Sequence, residues 1–233
     1  MPSKSGTGRD VGAENAGHVW YVSYGSNTHA ARLNRYLAAC RDTRPPLASA
    51  PVELSGVLYF ATESLLWTGG RAFYDPGAPG QVRARAYLLS PQQFCDVAAQ
   101  EMYRRPGPGT DLDLKRVVRE ERVELGPGRY ETLVCAGMRE GRPLLTFTAP
   151  WGVHDVPWNR PAAAYLAHLY AGLTETGAWP PADLAAYLAG APGAAGHWSA
   201  REIAALPAAP PGPADPPRPA DPPGPADPAG WTA

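Results

Sequence analysis

Residues 18–37, "HVWYVSYGSNTHAARLNRYL", decide how the rest of the chain is read. Val19 to Tyr24 form an apolar run rich in β-branched and aromatic residues, the pattern of a buried strand. Leu33, Leu37 and Cys40 recur at helical spacing and predict a helix from Thr28 to Cys40. Between them stand Gly25, Ser26 and Asn27, a small-residue turn where helix-initiating N–H groups come free. Such a turn suits either of two roles. It can simply cap the next helix, or it can form a nest of N–H groups for a carboxylate or developing oxyanion.

Beyond this stretch the chain alternates further strands with helices. "VELSGVLYFA" and "GGRAFYD" read as strands. In "VRARAYLL", Val82, Ala84, Ala86 and Leu88 alternate with Arg83, Arg85 and Tyr87, so the arginines are expected on a wet face. "SPQQFCDVAAQEM" opens a helix with Ser90 as N-cap, Pro91 in the first turn and Gln93 completing a capping box. "LDLKRVVREERVEL", "RYETLVCAG" and "RPLLTFTA" read as strands, the last two joined by a hairpin turn. Helices are then expected in "NRPAAAYLAHLYAGLTETG", capped by Asn159, in "PPADLAAYLAG", and in "SAREIAAL", where Ser199 and Glu202 make a second capping box. Strands followed by a helical end predict an α+β domain.

Size and composition set the frame. A chain of 233 residues with 44% apolar and 18% charged residues can bury a substantial core. Its formal net charge of −1 provides no broad basic field for nucleic acid or anionic lipid. No apolar run approaches the roughly 18 residues of a membrane span. The opening residues 1–17 lack the apolar centre of a signal peptide and are expected to be a flexible extension. From Pro207 the chain becomes proline- and alanine-rich, with PPGPADP occurring twice. That segment is expected to be an extended tail over 207–233, leaving a single domain over 18–206. Three well-separated cysteines, Cys40, Cys95 and Cys135, suggest neither a disulfide framework nor a zinc cluster, and a cytoplasmic setting is expected. No histidine falls in a metal-binding spacing, and P-loop, dinucleotide and nucleophile-elbow motifs are missing from the sequence.

Glu101 is the leading candidate for chemistry. It continues the spacing of Phe94, Val97 and Ala98, which puts a carboxyl group on the apolar face of its helix. Desolvation there would raise its pKa and suit it to general acid and base work. Pairing with Arg104 or Arg105 at a frayed helix end is the alternative.

Taken together, "YVSYGSN" (21–27), "WTGGRAFYDPGAPGQVRARAYLL" (67–89), Gln100-Glu101 at a helix end and "NRPAAAYLAHLYAGL" (159–173) resemble the gamma-glutamylcyclotransferase-like family. The pattern departs from the family's at Thr28, His29 and Met102. The resemblance implies a small mixed β-barrel-like core with surrounding helices, here with extra C-terminal helices, enclosing a cavity. It further implies Glu101 as the acid/base catalyst, and Tyr24, Gly25, Ser26, Asn27, Gly69, Gly70 and Tyr103 as substrate-binding residues. The implied ligand is a small γ-glutamyl molecule, cyclised to 5-oxoproline without cofactor or metal. A monomer or weak dimer with no nucleic-acid or membrane partner is expected. The rival readings are a non-catalytic small-molecule-binding or interaction protein on the same fold, and an amide hydrolase in which Glu101 activates water.

Overall fold

The computed structural model describes residues 17–207. The flexible extension and the proline-rich tail expected at the two ends therefore lie outside the described residues, apart from Gly17 and Pro207. The apolar run does form a strand, β1 (Val19–Ser23), and all five of its residues are buried. It is buried on both faces because alternate side chains enter different cores. Trp20 and Val22 join one apolar cluster, while Val19 and Tyr21 join another. A 3-10 turn over Ser26–Thr28 separates β1 from helix α1 (Ala30–Ala38), so the helix starts two residues later than its apolar spacing suggests.

Strands β2 (Ser49–Ser55), β3 (Val57–Ser64), β4 (Gly69–Asp75) and β5 (Gln81–Leu89) follow. The stretch read as one strand, 52–61, is thus two, and Gly56 is the corner. Its φ of +126° is open to glycine, and a Cβ there would lie 2.4 Å from the Asp75 carbonyl oxygen. Beyond that corner β3 pairs with β4 as a separate hairpin, while β2 pairs with β5. Helix α2 (Pro91–Glu101) begins at the expected capping box: Gln93 N–H donates to Ser90 Oγ, and Ser90 N–H to Gln93 Oε1, both at 3.1 Å.

The region over 112–125 departs from the expected strand. Asp113 caps a helix, α3 (Leu114–Glu120), by accepting from the Arg116 N–H, and only then does the short β6 (Arg122–Glu124) begin. Strands β7 (Thr132–Arg139) and β8 (Arg142–Thr148) are joined by the expected turn, with Glu140 and Gly141 both at positive φ. Helices α4 (Ala163–Thr174), α5 (Pro181–Gly190) and α6 (Ala200–Ala204) complete the described residues. Ser199 and Glu202 form their capping box. Asn159 does not cap α4. Its side-chain amide instead donates to Thr62 O and Glu63 Oε2, and Ala162 occupies the cap position. Nor is the Arg83–Arg85 face of β5 simply wet. Arg83 lies over the rings of Trp179 and Tyr187, and Arg85 pairs with Glu175.

The architecture is α+β, with a mixed sheet surrounded by helices. Among the described residues six strands run in the order β2-β5-β1-β8-β7-β6, and of these neighbours only β1 and β8 are parallel. The barrel-like core stays open, because β3 and β4 hydrogen-bond to each other and to no strand of the larger sheet. The outer edge of β4 is held to β8 by a side chain instead. Thr148 Oγ1 accepts from the Tyr74 N–H at 3.1 Å and donates to the Tyr74 carbonyl at 2.7 Å. Thr148 is fully buried, so Thr148→Val strands both backbone groups away from water. We expect a loss of about 1–3 kcal/mol in urea denaturation; a change below about 0.5 kcal/mol would show that this bond does not fasten the hairpin.

Candidate active site

The only parallel pair of strands among the described residues soon parts. β1 and β8 are in register at Trp20–Leu144 and Tyr21–Leu145 and no further. Past that point side chains take over from the ladder. Thr146 Oγ1 donates to the Val22 carbonyl at 2.8 Å, and Tyr24 Oη donates to the Phe147 carbonyl at 2.7 Å. The gap is a cavity of about 40 Å³ lined by residues 21–27 of β1 and its turn, with Ala72, Glu101, Tyr130, Thr146, Phe147 and Tyr165. A second cavity of about 120 Å³ adjoins it, sharing Ser26, Glu101, Tyr130 and Tyr165 as walls. Its further lining includes Arg32, Ser64, Trp67, Arg71 and Tyr103.

The turn and the glutamate meet here. Asn27 Nδ2 donates to Glu101 Oε1 at 2.9 Å and lies 3.3 Å from the Tyr21 hydroxyl. Arg104, the alternative partner, pairs with Glu131. The side-chain carbonyl of Asn27 is buried with no hydrogen-bond partner among the described residues. In the 3-10 turn, Thr28 N–H bonds to Gly25 O and His29 N–H to Ser26 O, while the N–H groups of Ser26 and Asn27 bond to no described residue. Free donors and a free acceptor thus flank one carboxylate.

The other walls come from distant parts of the chain. On β4 the Ala72 peptide is held at both ends, its N–H donating to Tyr165 Oη at 3.1 Å and its carbonyl accepting from Tyr130 Oη at 3.3 Å. Burial, then the charge of Glu101, pushes the Tyr165 hydroxyl up to about 12. Burial raises Tyr130 well above the ordinary tyrosine value. Both phenols stay protonated, and Glu101 is the acidic side chain among the lining residues of the two cavities. Ser26 Oγ accepts from Arg32 Nε at 2.8 Å, and the Arg32 guanidinium lies 4.9 Å from the centre of the Trp67 ring.

Tyr103 reaches the larger cavity through a strained turn. Helix α2 ends in a Schellman arrangement, with Arg104 N–H on Ala99 O at 2.7 Å and Tyr103 N–H on Gln100 O at 3.0 Å. Its left-handed position, φ +58°, is held by Tyr103 instead of glycine, at a cost of roughly 1 kcal/mol. The ring is braced by the Arg129 guanidinium, 4.8 Å from its centre.

Of the residues singled out from sequence, Tyr24, Gly25, Ser26, Asn27, Glu101 and Tyr103 line one or both cavities. Gly69 and Gly70 line neither. They let the segment before α4 lie against β4: a Cβ on Gly70 would stand 2.1 Å from the Asn159 carbonyl oxygen, and one on Gly69 2.6 Å from that of Arg160. The structure thus gives them a part in backbone packing, apart from the two cavities where substrate contact was expected. Arg32, Trp67, Arg71, Tyr130 and Tyr165 were not named as site residues from the sequence, although Trp67 opens the family-like segment over 67–89. The available hint was a tyrosine, Tyr165, within the apolar stripe of α4, whose hydroxyl had to find a buried partner. Among the described residues no helix is long and apolar enough to cross a membrane, and no three His, Cys, Asp or Glu side chains gather as metal ligands.

No protein-family profile and no curated protein matches the chain. Among solved structures it is similar to the uncharacterized protein loc79017 from Homo sapiens, at 17% identity and a TM-score of 0.47, over 80% of this chain and 95% of that one. It is similar, with the same identity and coverage and a TM-score of 0.45, to a protein described as a gamma-glutamyl cyclotransferase. It is also similar to YkqA from Bacillus subtilis, at 15% identity and a TM-score of 0.42, over 77% of this chain and 57% of that one.

Behind Trp67 lies a histidine pair. His168 Nδ1 stands 3.1 Å from His29 Nδ1, and the His168 ring meets Trp67 edge-on. Burial, then the nearby charges of Arg32 and His29, lowers the His168 pKa to about 4. The native state therefore holds this ring neutral. Its contribution to stability is fully present above the unfolded value near 6.5 and is lost as pH falls toward the folded value. NMR titration should place the His168 ring near pH 4; a midpoint near 6.5 would contradict the packing described.

Proposed function

We propose that the chain is a γ-glutamyl cyclotransferase, converting a γ-glutamyl amide to 5-oxoproline and a free amine. The observation that carries this reading is the 2.9 Å hydrogen bond from Asn27 Nδ2 to Glu101 Oε1, which joins the 24–27 turn to the glutamate inside one cavity. The resemblance of the YGSN turn, the GG segment and the helix-borne glutamate to that family supports it.

The surroundings of Glu101 suit a glutamyl head group. Its α-carboxylate would take the free N–H groups of Ser26 and Asn27, and its α-ammonium the Glu101 carboxylate and the unpartnered Asn27 carbonyl. Glu101 then removes a proton from the ammonium, freeing its lone pair to attack the γ-carbonyl carbon. A ring C–N bond forms and the carbonyl oxygen becomes an oxyanion. When the carbonyl re-forms, the bond to the leaving nitrogen breaks as Glu101 returns a proton to it. Over the cycle the two protons lost by the attacking nitrogen equal the two gained by the amine, which departs as an ammonium. Nucleophile and electrophile belong to one molecule, so holding it folded supplies much of the acceleration.

Incubating the protein with γ-glutamyl amines and dipeptides should release 5-oxoproline, detected by mass spectrometry. Glu101→Gln should lower kcat by about 10²–10⁴-fold with an unchanged circular dichroism spectrum. Full turnover in that variant would remove Glu101 from the mechanism. Free glutamate as product would point to hydrolysis, and binding without product to a ligand-binding protein. Removing residues 208–233 should leave the rate nearly unchanged, and a large loss would assign the proline-rich segment a part in the reaction.

A further inference from the structure

Arg71 stands out among the lining residues. It lies within β4, where a buried strand position ordinarily takes an apolar side chain, and it is 8% exposed. Its Nη1 is buried without a hydrogen-bond partner, and no ion pair to Arg71 occurs among the described residues. A buried guanidinium left in this state is unfavourable unless something else completes it.

The two cavities divide the charges. Asn27 lines the smaller and Arg71 the larger, while Glu101 lines both. The lining side chains carry two guanidinium groups, Arg32 and Arg71, against one carboxylate, Glu101. A γ-glutamyl head group brings one ammonium and one carboxylate, so it leaves that excess positive charge unchanged. Arg32 is already engaged with Ser26 Oγ and stacked by Trp67. What remains unmatched is Arg71, in the cavity that Glu101 lines and Asn27 does not.

Resting on the cyclotransferase reading, we propose that Arg71 binds an anionic group, a carboxylate or sulfonate, on the part of the substrate that leaves. The released amine is then an amino acid or amino sulfonate, and Arg71 is the residue that selects it. A planar guanidinium with an open edge suits either oxyanion.

The test compares γ-Glu-Gly, γ-Glu-taurine and γ-Glu-ethylamide, whose leaving groups carry a carboxylate, a sulfonate and no charge. For wild type, Arg71→Gln and Arg71→Lys, 5-oxoproline release gives kcat and KM, and calorimetry gives Kd. Wild type should favour at least one anionic substrate over the ethylamide by about tenfold or more, chiefly in KM and Kd. Arg71→Gln should bring that ratio towards one, and Arg71→Lys should restore part of it. The better of the two anionic substrates identifies the oxyanion. A wild-type ratio near one overturns the proposal, as does a ratio that Arg71→Gln leaves unchanged, because Arg71 would then act on the shared glutamyl end or on the fold. If Arg71→Gln does not fold, the wild-type ratio and Arg71→Lys decide. An Arg71-dependent preference in Kd without 5-oxoproline would support the anion site and remove the cyclotransferase reading. Turnover with no preference would do the reverse, and no binding by any of the three overturns both.

Discussion

The structure depends on the parting of β1 and β8 after Tyr21 and Leu145. Two adjacent parallel strands would ordinarily continue their ladder, since an unpaired backbone carbonyl in a core costs as much as a lost hydrogen bond. Here the Val22 and Phe147 carbonyls are satisfied by the Thr146 and Tyr24 hydroxyls, which reach further than a backbone N–H and hold the strands apart. The space so opened is the smaller cavity, at the carboxyl ends of both strands. The turn after β1 consequently lines an interior space, and Ser26 and Asn27, whose N–H groups have no partner among the described residues, are among its walls.

The remaining walls obey the same constraint. β4 brings an unpaired edge to this gap, and an unpaired edge is a liability unless something covers it. Thr148 takes Tyr74, while Tyr130 and Tyr165 take the two ends of the Ala72 peptide. The tyrosines that close the edge are therefore the same ones that line both cavities, so the fold and the site share their hydrogen bonds. Helix α4 supplies Tyr165 because it lies directly on the turn. A Cβ at Gly172 would come within 2.2 Å of the His29 nitrogen, so this helix glycine, unfavourable for helix stability, permits the contact. The strained Tyr103 belongs to the same set: α2 ends at Glu101, and the chain must bend sharply to keep the next aromatic ring at the cavity.

What could be read from the residues was local. A buried strand, a capped helix and the face on which Glu101 lies follow from periods of two and 3.6 and from short-range capping. The meeting of Asn27 with Glu101 spans 74 residues and does not follow from either period. Over 112–125, valines and leucines among charges matched a strand, but the Asp113 cap and a single buried valine, Val117, won a helical turn. Gly69 and Gly70 were expected at the substrate, yet what lies against them is the chain before α4, a partner that only tertiary packing names. Arg71 was invisible for a related reason. An arginine in a strand reads as its wet face, and only the folded hairpin turns that face inward.

Glu101 lines both cavities, and this limits where chemistry can take place. A single carboxyl can receive a proton from one nitrogen and deliver it to another only if both come within hydrogen-bond reach of it. On the cyclotransferase reading, the attacking nitrogen lies in the smaller cavity beside Asn27 and the leaving nitrogen points toward Arg71. The bond that breaks must then lie at the junction of the two, beside Glu101, Tyr130 and Tyr165. Burial keeps both phenols neutral, so neither competes for the proton. Tyr130 already donates to the Ala72 carbonyl, while Tyr165, which accepts from the Ala72 N–H, keeps its own proton to donate there. On that reading, the partition of acceptors and free N–H groups in one cavity and an unmatched guanidinium in the other would orient the substrate before any proton moves. Reversing it would place an ammonium against Arg71 and leave the Asn27 carbonyl facing a group of its own sign.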